Sequence, residues 1–297
     1  MNTNSKKTIP ENIQGILWAL LATGLFATVA AMAKFAVTEY HVLQILFFRQ
    51  IVVFFSSLPS IRANFPQSLK TKRPGLHGVR LLGAFVALST GIWAVALLPL
   101  TTAITLSFAQ VFFVALAAAC FLKEPVGVHR ICAVTVGFIG VVVVLRPGVD
   151  GLFNLYALVP LAGALGAAIA VISVRRLAQT ESTATLLFYQ ATVVGLLAGV
   201  PLIWFWVTPD RFDLFYLLSM GVVATTGQWV GIKALRLGEA SFIGNIQYTQ
   251  LVYAAIFGYV FFSEIPDIYT LTGSVIIIGS ALYIVHRESM RKRLGLS

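Results

Sequence analysis

Charge is what this chain has least of. Only 11% of its 297 residues are Asp, Glu, Lys or Arg, with 11 acidic residues against 21 basic ones. A soluble domain carries roughly a quarter charged residues, and its surface grows with its size. A 58% hydrophobic composition therefore excludes a fold bathed by water on every side. Cysteine is nearly absent too. Cys120 and Cys132 form neither a CxxC nor a Cys/His pattern, which excludes a disulfide framework and a zinc-ligand set. Both lie in apolar runs and read as packing. No GxxxxGKS or GxxxxGKT loop is present, so ATP is not expected as a direct energy source. His41, His77, His129 and His286 are scattered near the ends of apolar runs. An intramembrane enzyme needs a His cluster, paired Asp or a Ser/His pair at depth. None is visible, so that class stays a remote alternative, and neither a cofactor nor a metal is expected.

Long hydrophobic runs are what the chain has in abundance. A helix crosses the hydrocarbon core in about 20 residues. Apolar segments of that length recur near 13–33, 43–61, 78–98, 102–122, 129–146, 154–174, 184–206, 213–234, 241–262 and 268–286. The expected fold class is an all-α integral membrane protein of about ten transmembrane helices. These runs are continuous and lack the ten-residue alternation of a membrane barrel. The breaks carry turn chemistry, as at Leu98-Pro99, Pro209-Asp210 and Pro266-Asp267. A signal peptide would place a small-residue cleavage site after a short apolar region, whereas the apolar run from Ile13 is long enough to span, so it reads as a retained first helix.

The net charge of +10 would suit nucleic acid, but the basic residues sit in short loops, so no such partner is expected. With the N-terminus in the cytoplasm, inside loops and tails hold 17 of the 21 Lys and Arg. Lys34, Arg146 and Arg211 fall at or near the outside, and Arg49 within the second span. That asymmetry places both termini in the cytoplasm. Trp204 and Trp206 then fall at the outer end of the seventh span, as an aromatic belt would.

Two stretches resemble each other, Ala96–Leu145 and Ala234–Ile284. Each opens on Ala-Leu, carries a Gln before an apolar run (Gln110, Gln250), and reaches a Glu at the helix end (Glu124, Glu264). Each closes on a Gly-bearing span (Gly140, Gly279). Five spans precede the second half, so it enters from the opposite face. The expected division is 1–148 and 149–297, an inverted-topology repeat with the substrate near the midplane between the halves. These halves, the Trp-bearing first span, Arg49 and the Gln–apolar–Glu repeat resemble the EamA-type drug/metabolite transporters over essentially the whole chain. The chain departs from that pattern in carrying Gln110 and Gln250 where the family often has Pro, and Ala133 where it often has Gly. The resemblance implies a secondary transporter of the bacterial cytoplasmic membrane, working by alternating access as a monomer or homodimer in lipid. It also implies a small-metabolite substrate, with export of aromatic or neutral amino acids as the first reading. A carrier for a nucleotide-sugar, purine or drug is the alternative.

Several residues are candidates for function. Arg49, in LFFRQIVVFF, lies about two turns from the outer end of its span. A charge at that depth is expensive unless paired or hydrated. It is expected either to brace the bundle or to attract a substrate carboxylate, and Lys34 to share either role. Amides facing lipid are expensive, so Gln110, Gln228, Asn245 and Gln250 are expected on a cavity, with Trp93, Trp229, Tyr248 and Tyr253 as stacking faces. Interhelical hydrogen bonding is the competing role for all of them. Ser107 shares a helical face with Gln110, and Gln247 lies beside the stripe of the ninth span. No Asp or Glu lies in the middle of a span, which predicts transport without an obligate carboxylate proton relay. The small residues Gly163, Gly166, Gly195, Gly199, Gly137 and Gly140 are expected to serve helix packing.

Overall fold

The computed structural model describes residues 11–63, 65, 71, 73–122, 128–145, 155–237 and 246–293. Among them the secondary structure is helical, without strands. The elements are α1 (Glu11–Ala36), α2 (Val42–Ala63), α3 (Pro74–Leu97), α4 (Leu100–Ser107), α5 (Gln110–Leu122) and α6 (Val128–Leu145). The chain continues through α7 (Leu158–Leu177), α8 (Thr183–Gly199), the short α9 (Leu202–Phe205), α10 (Arg211–Leu237), α11 (Thr249–Phe262) and α12 (Ile268–Arg293). Five stretches are long and apolar enough to cross a membrane: Gln14–Ala36, Val42–Ala63, Pro74–Leu97, Leu100–Ala117 and Arg211–Ala234. Five further apolar helical stretches are shorter, and length alone does not carry them across. Large side chains such as Phe215, Ile203 and Val275 are more than 70% exposed, a surface suited to lipid and not to water.

Local chemistry starts and stops these helices. Pro74 occupies the first turn of α3, where a missing N–H costs nothing. The Ser182 hydroxyl accepts the Thr185 N–H at the start of α8. The two Pro-Asp pairs act alike: Asp210 accepts the Asp213 N–H at 2.8 Å, and Asp267 accepts the Thr270 N–H at 2.7 Å. α11 ends on Ser263 in the left-handed region, at φ 54°. The Glu264 N–H then reaches back to the Gly258 carbonyl at 2.9 Å, a helix stop that glycine usually provides.

The main packing partners are α3 with α7, α1 with α10, α6 with α12, and α2 with α8. Each pair joins an early part of the chain to a late one. Glycines allow the closest approaches. A Cβ on Gly83 would lie 2.7 Å from the Gly166 carbonyl, and the reverse distance is also 2.7 Å. α6 and α12 cross at Gly140 and Gly273, where an added Cβ would again meet backbone. Gly163, Gly195, Gly199 and Gly137 likewise face side chains of neighbouring helices. Van der Waals contact between close backbones is the main attraction left once lipid replaces water.

Polar ties join early and late segments at both ends of the bundle. At one end Lys34 donates to Glu264 at 2.5 Å and to the Leu98 carbonyl at 2.8 Å. The other Glu264 oxygen accepts the Leu100 N–H at 2.8 Å. Lys34 therefore covers the carbonyl end of α3 and Glu264 the amide end of α4, each with the charge that the helix dipole favours. Nearby, Gln44 exchanges two hydrogen bonds with the backbone of Val207. Tyr40 donates to Asp213 at 2.5 Å; burial and that carboxylate push its phenol up to about 12, so it stays a donor at neutral pH. At the other end, Glu181 accepts from Thr71 at 2.6 Å and pairs with His77. Arg80 donates to the Leu186 carbonyl and to Gln190. His77 and Arg80 are each 3% exposed. Arg80 is thus a buried brace between α3 and α8.

Replacing Gly83 by Leu is expected to lower stability by about 1–3 kcal/mol, because the added atoms meet backbone that cannot rotate away. Gly279→Ala, with nothing within 4 Å of its Cβ position, should leave the detergent melting temperature unchanged or raised. Glu264→Gln should cost about 2 kcal/mol in the same assay, the scale of a charged hydrogen bond. The swap of Lys34→Glu with Glu264→Lys should not restore stability, since it sets both charges against the adjoining helix ends.

Candidate functional site

A cavity of about 370 Å³ opens within the bundle, lined by parts of α1, α2, α3, α4 and α5 and by Gln247 and Gln250. Small residues make the room: Ala30 and Ala33 on α1, Ala87 and Gly91 on α3, and Ala103 on α4. Phe26 and Phe108 add ring faces. The polar groups on the wall are Arg49, Ser107, Gln110, Gln247 and Gln250.

Two tight turns bring three of these together. α4 gives way to α5 through a tight turn at Phe108 and Ala109, with Val111 N–H bonded to the Phe108 carbonyl at 3.1 Å. A turn at Gln247 and Tyr248 precedes α11, with Gln250 N–H bonded to the Gln247 carbonyl at 3.1 Å. The Phe108 and Tyr248 rings pack against each other at 4.9 Å, holding the two turns side by side. Gln110 follows one turn; Gln247 lies in the other and Gln250 follows it. Thr23 of α1 bonds Thr249 at 3.0 Å, fixing the second turn from behind.

Arg49 reaches this wall from α2. Among the described residues its guanidinium has no hydrogen-bond or ion-pair partner. The side-chain amides of Gln110, Gln247 and Gln250 also make no hydrogen bond to another described residue. Ser107 differs, its hydroxyl donating back to the Ala103 carbonyl at 2.8 Å. Gln50, next to Arg49 in sequence, is 2% exposed with both amide atoms unpartnered, but it faces Gly195 of α8 and not the cavity.

The other expected residues lie elsewhere. Trp93 and Trp229 are 49% and 51% exposed and do not border this cavity. Gln228 and Tyr253 are half-buried outside it, Tyr253 packing over Gly24. Tyr248 is buried beneath the contact with Phe108. Lys34 is bound to Glu264. Asn245 and Glu124 lie outside the described residues. Many polar residues of the spans serve the bundle: Thr105 bonds Ser274, Thr102 bonds Thr270, and Thr225 and Thr226 donate to their own helix. A simple 3.6-residue stripe misplaces the residues around Tyr248 because Gln247 and Tyr248 form a turn ahead of α11. Phe26 carried no signal to separate it from a lipid-facing Phe. Among the described residues no group of three His, Cys, Asp or Glu could hold a metal ion.

Known proteins of the same length and pattern carry transport names. The S-adenosylmethionine uptake transporter of Rickettsia felis is 33% identical over 279 residues, covering 93% of this chain and 94% of that protein. The pseudopaline exporter of Pseudomonas aeruginosa is 30% identical, covering 89% and 93%. The riboflavin transporter of Vibrio cholerae is 28% identical, covering 95% and 96%. One solved crystal structure shares the fold, with a TM-score of 0.61 over 95% of this chain and 99% of that one, at 19% identity. The profile of the EamA-like transporter family matches twice, over residues 13–146 and 154–286. With both halves matched and transporters as relatives along nearly their whole length, the chain belongs to the EamA-like transporter family.

Proposed function

We propose that this chain is a secondary carrier for a small, amino-acid-like metabolite, and that Arg49 receives the substrate carboxylate. The observation that carries the reading is the cavity-lining guanidinium with no partner among the described residues. A charge at membrane depth costs several kcal/mol unless something compensates it. In the empty cavity water does so; in the loaded one the substrate supplies the counter-charge. Arg suits this role because its planar fork accepts a carboxylate through two parallel hydrogen bonds.

The S-adenosylmethionine uptake transporters among the relatives support a carboxylate-bearing solute, since S-adenosylmethionine ends in an amino-acid group, whereas riboflavin, the solute of another, carries none. Aromatic and neutral amino acids remain within the proposal, and export follows wherever the cytoplasmic concentration is the higher one. A nucleotide-sugar is less favoured, because Arg49 is the one charged residue on the described cavity wall, and a diphosphate calls for more. Alternating access is the proposed mechanism. Polar ties between early and late segments at both ends of the bundle are the contacts that rocking of two halves would exchange. The lack of an acid on the described cavity wall favours transport driven by the solute gradient, with both termini in the cytoplasm.

In proteoliposomes, Arg49→Gln should raise the KM for labelled S-adenosylmethionine or phenylalanine, whichever the wild type carries, by about tenfold or more, equal to about 1.4 kcal/mol. Arg49→Lys should recover part of that loss, and the melting temperature should not fall. An unchanged KM with a lowered melting temperature would make Arg49 a structural brace and end this reading.

A further inference from the structure

The carboxylate accounts for one end of the substrate and one polar group of the cavity. Three amides remain, those of Gln110, Gln247 and Gln250, and they have no hydrogen-bond partner among the described residues. An amide offers two N–H donors and two lone pairs. In the empty cavity water can meet these needs. A substrate that displaces the water must replace its bonds, because an amide left dry and unpaired weakens binding by about tenfold or more.

This condition separates classes of solute. The side chain of phenylalanine or leucine is hydrocarbon and offers nothing to three amides. A heteroaromatic ring with donors and acceptors along its edge can bond several at once while its faces stay apolar. The cavity walls suit such faces. Phe26 and Phe108 present rings, and on the α3 side Gly91 leaves the backbone bare. A Cβ on Gly91 would meet nothing within 4 Å, so helix packing does not demand glycine there; its effect is to widen the cavity.

We infer that the cavity takes a two-ended substrate: a carboxylate at Arg49, and a hydrogen-bonding heteroaromatic ring of purine or flavin type whose edge is read by Gln110, Gln247 and Gln250. The inference rests on the carboxylate reading of Arg49 for one end only; the ring end stands on the amides. It ranks a nucleoside-bearing amino acid above the aromatic amino acids as the substrate class. Gln110, Gln247 and Gln250 become specificity residues, and Gly91 sets the room for the ring.

The test is thermal stabilisation of the purified full chain in detergent by S-adenosylmethionine, adenosine, riboflavin and phenylalanine, titrated to apparent affinities. S-adenosylmethionine should bind about tenfold or more tighter than phenylalanine, and at least one of adenosine and riboflavin should bind without a carboxylate. Gln247→Leu and Gln250→Leu should each lose about tenfold for the ring compounds and bind phenylalanine as tightly or more tightly, since the amide it leaves unpaired is gone. Gly91→Leu should abolish ring binding while keeping the unliganded melting temperature. Phenylalanine binding as tightly as S-adenosylmethionine would overturn the ring assignment, as would ring affinities indifferent to the Gln variants, or no stabilisation by any ring compound. Arg49→Gln separates the two claims. If it leaves S-adenosylmethionine affinity intact while the Gln variants lower it, the carboxylate reading fails and the ring reading stands.

Discussion

In hydrocarbon a polar group that finds no partner has no water to turn to. That constraint organises this molecule. Hydroxyls inside the helices fold back onto their own backbone or meet across helix pairs, as Thr105 meets Ser274 and Thr23 meets Thr249. Lys34 and Glu264 neutralise each other and cover two helix ends together. Against this background of satisfied groups, those without a partner among the described residues stand out. Arg49 and the amides of Gln110, Gln247 and Gln250 gather on one cavity wall. Away from the cavity, Gln50, packed against α8, also has no hydrogen-bond partner among the described residues.

The same constraint shapes how the bundle is held together. Lipid tails are as apolar as the side chains, so hydrophobic burial does little to bring the helices together. Close packing takes its place at Gly83 with Gly166 and at Gly140 with Gly273. Polar contacts then pin the two ends, with Lys34, Tyr40 and Gln44 at one and His77, Arg80 and Glu181 at the other. The middle of the bundle is left to small residues and two turns, and the cavity lies there.

Much of this was legible beforehand because it depends on composition and spacing. Membrane residence follows from scarce charge and long apolar runs, whatever the helix arrangement. The two-fold organisation showed in the Gln–apolar–Glu repeat, and the family profile matches the chain twice. Arg49 announced itself because no bland use of an arginine in LFFRQIVVFF comes cheaply. Gln110 and Gln250 were readable as amides that had to avoid lipid. Trp93 and Trp229 were not readable in the same way. An aromatic ring is content against lipid, against another helix or against a ligand, so its type does not report its face.

The sequence by itself determined the solvent, the helical class, the repeat and the short roster of polar groups that had to be used somewhere. Tertiary structure alone decided where each was used. It sent Lys34 to Glu264, set Glu181 of the α7–α8 loop against His77, and turned Tyr248 inward onto Phe108 while Gln247 and Gln250 met the cavity. The physical reason is that burial cost belongs to a residue and can be read from its type, whereas a partner belongs to a pair. The pairs here lie more than a hundred residues apart, and only the packing of the helices brings their atoms within hydrogen-bond reach.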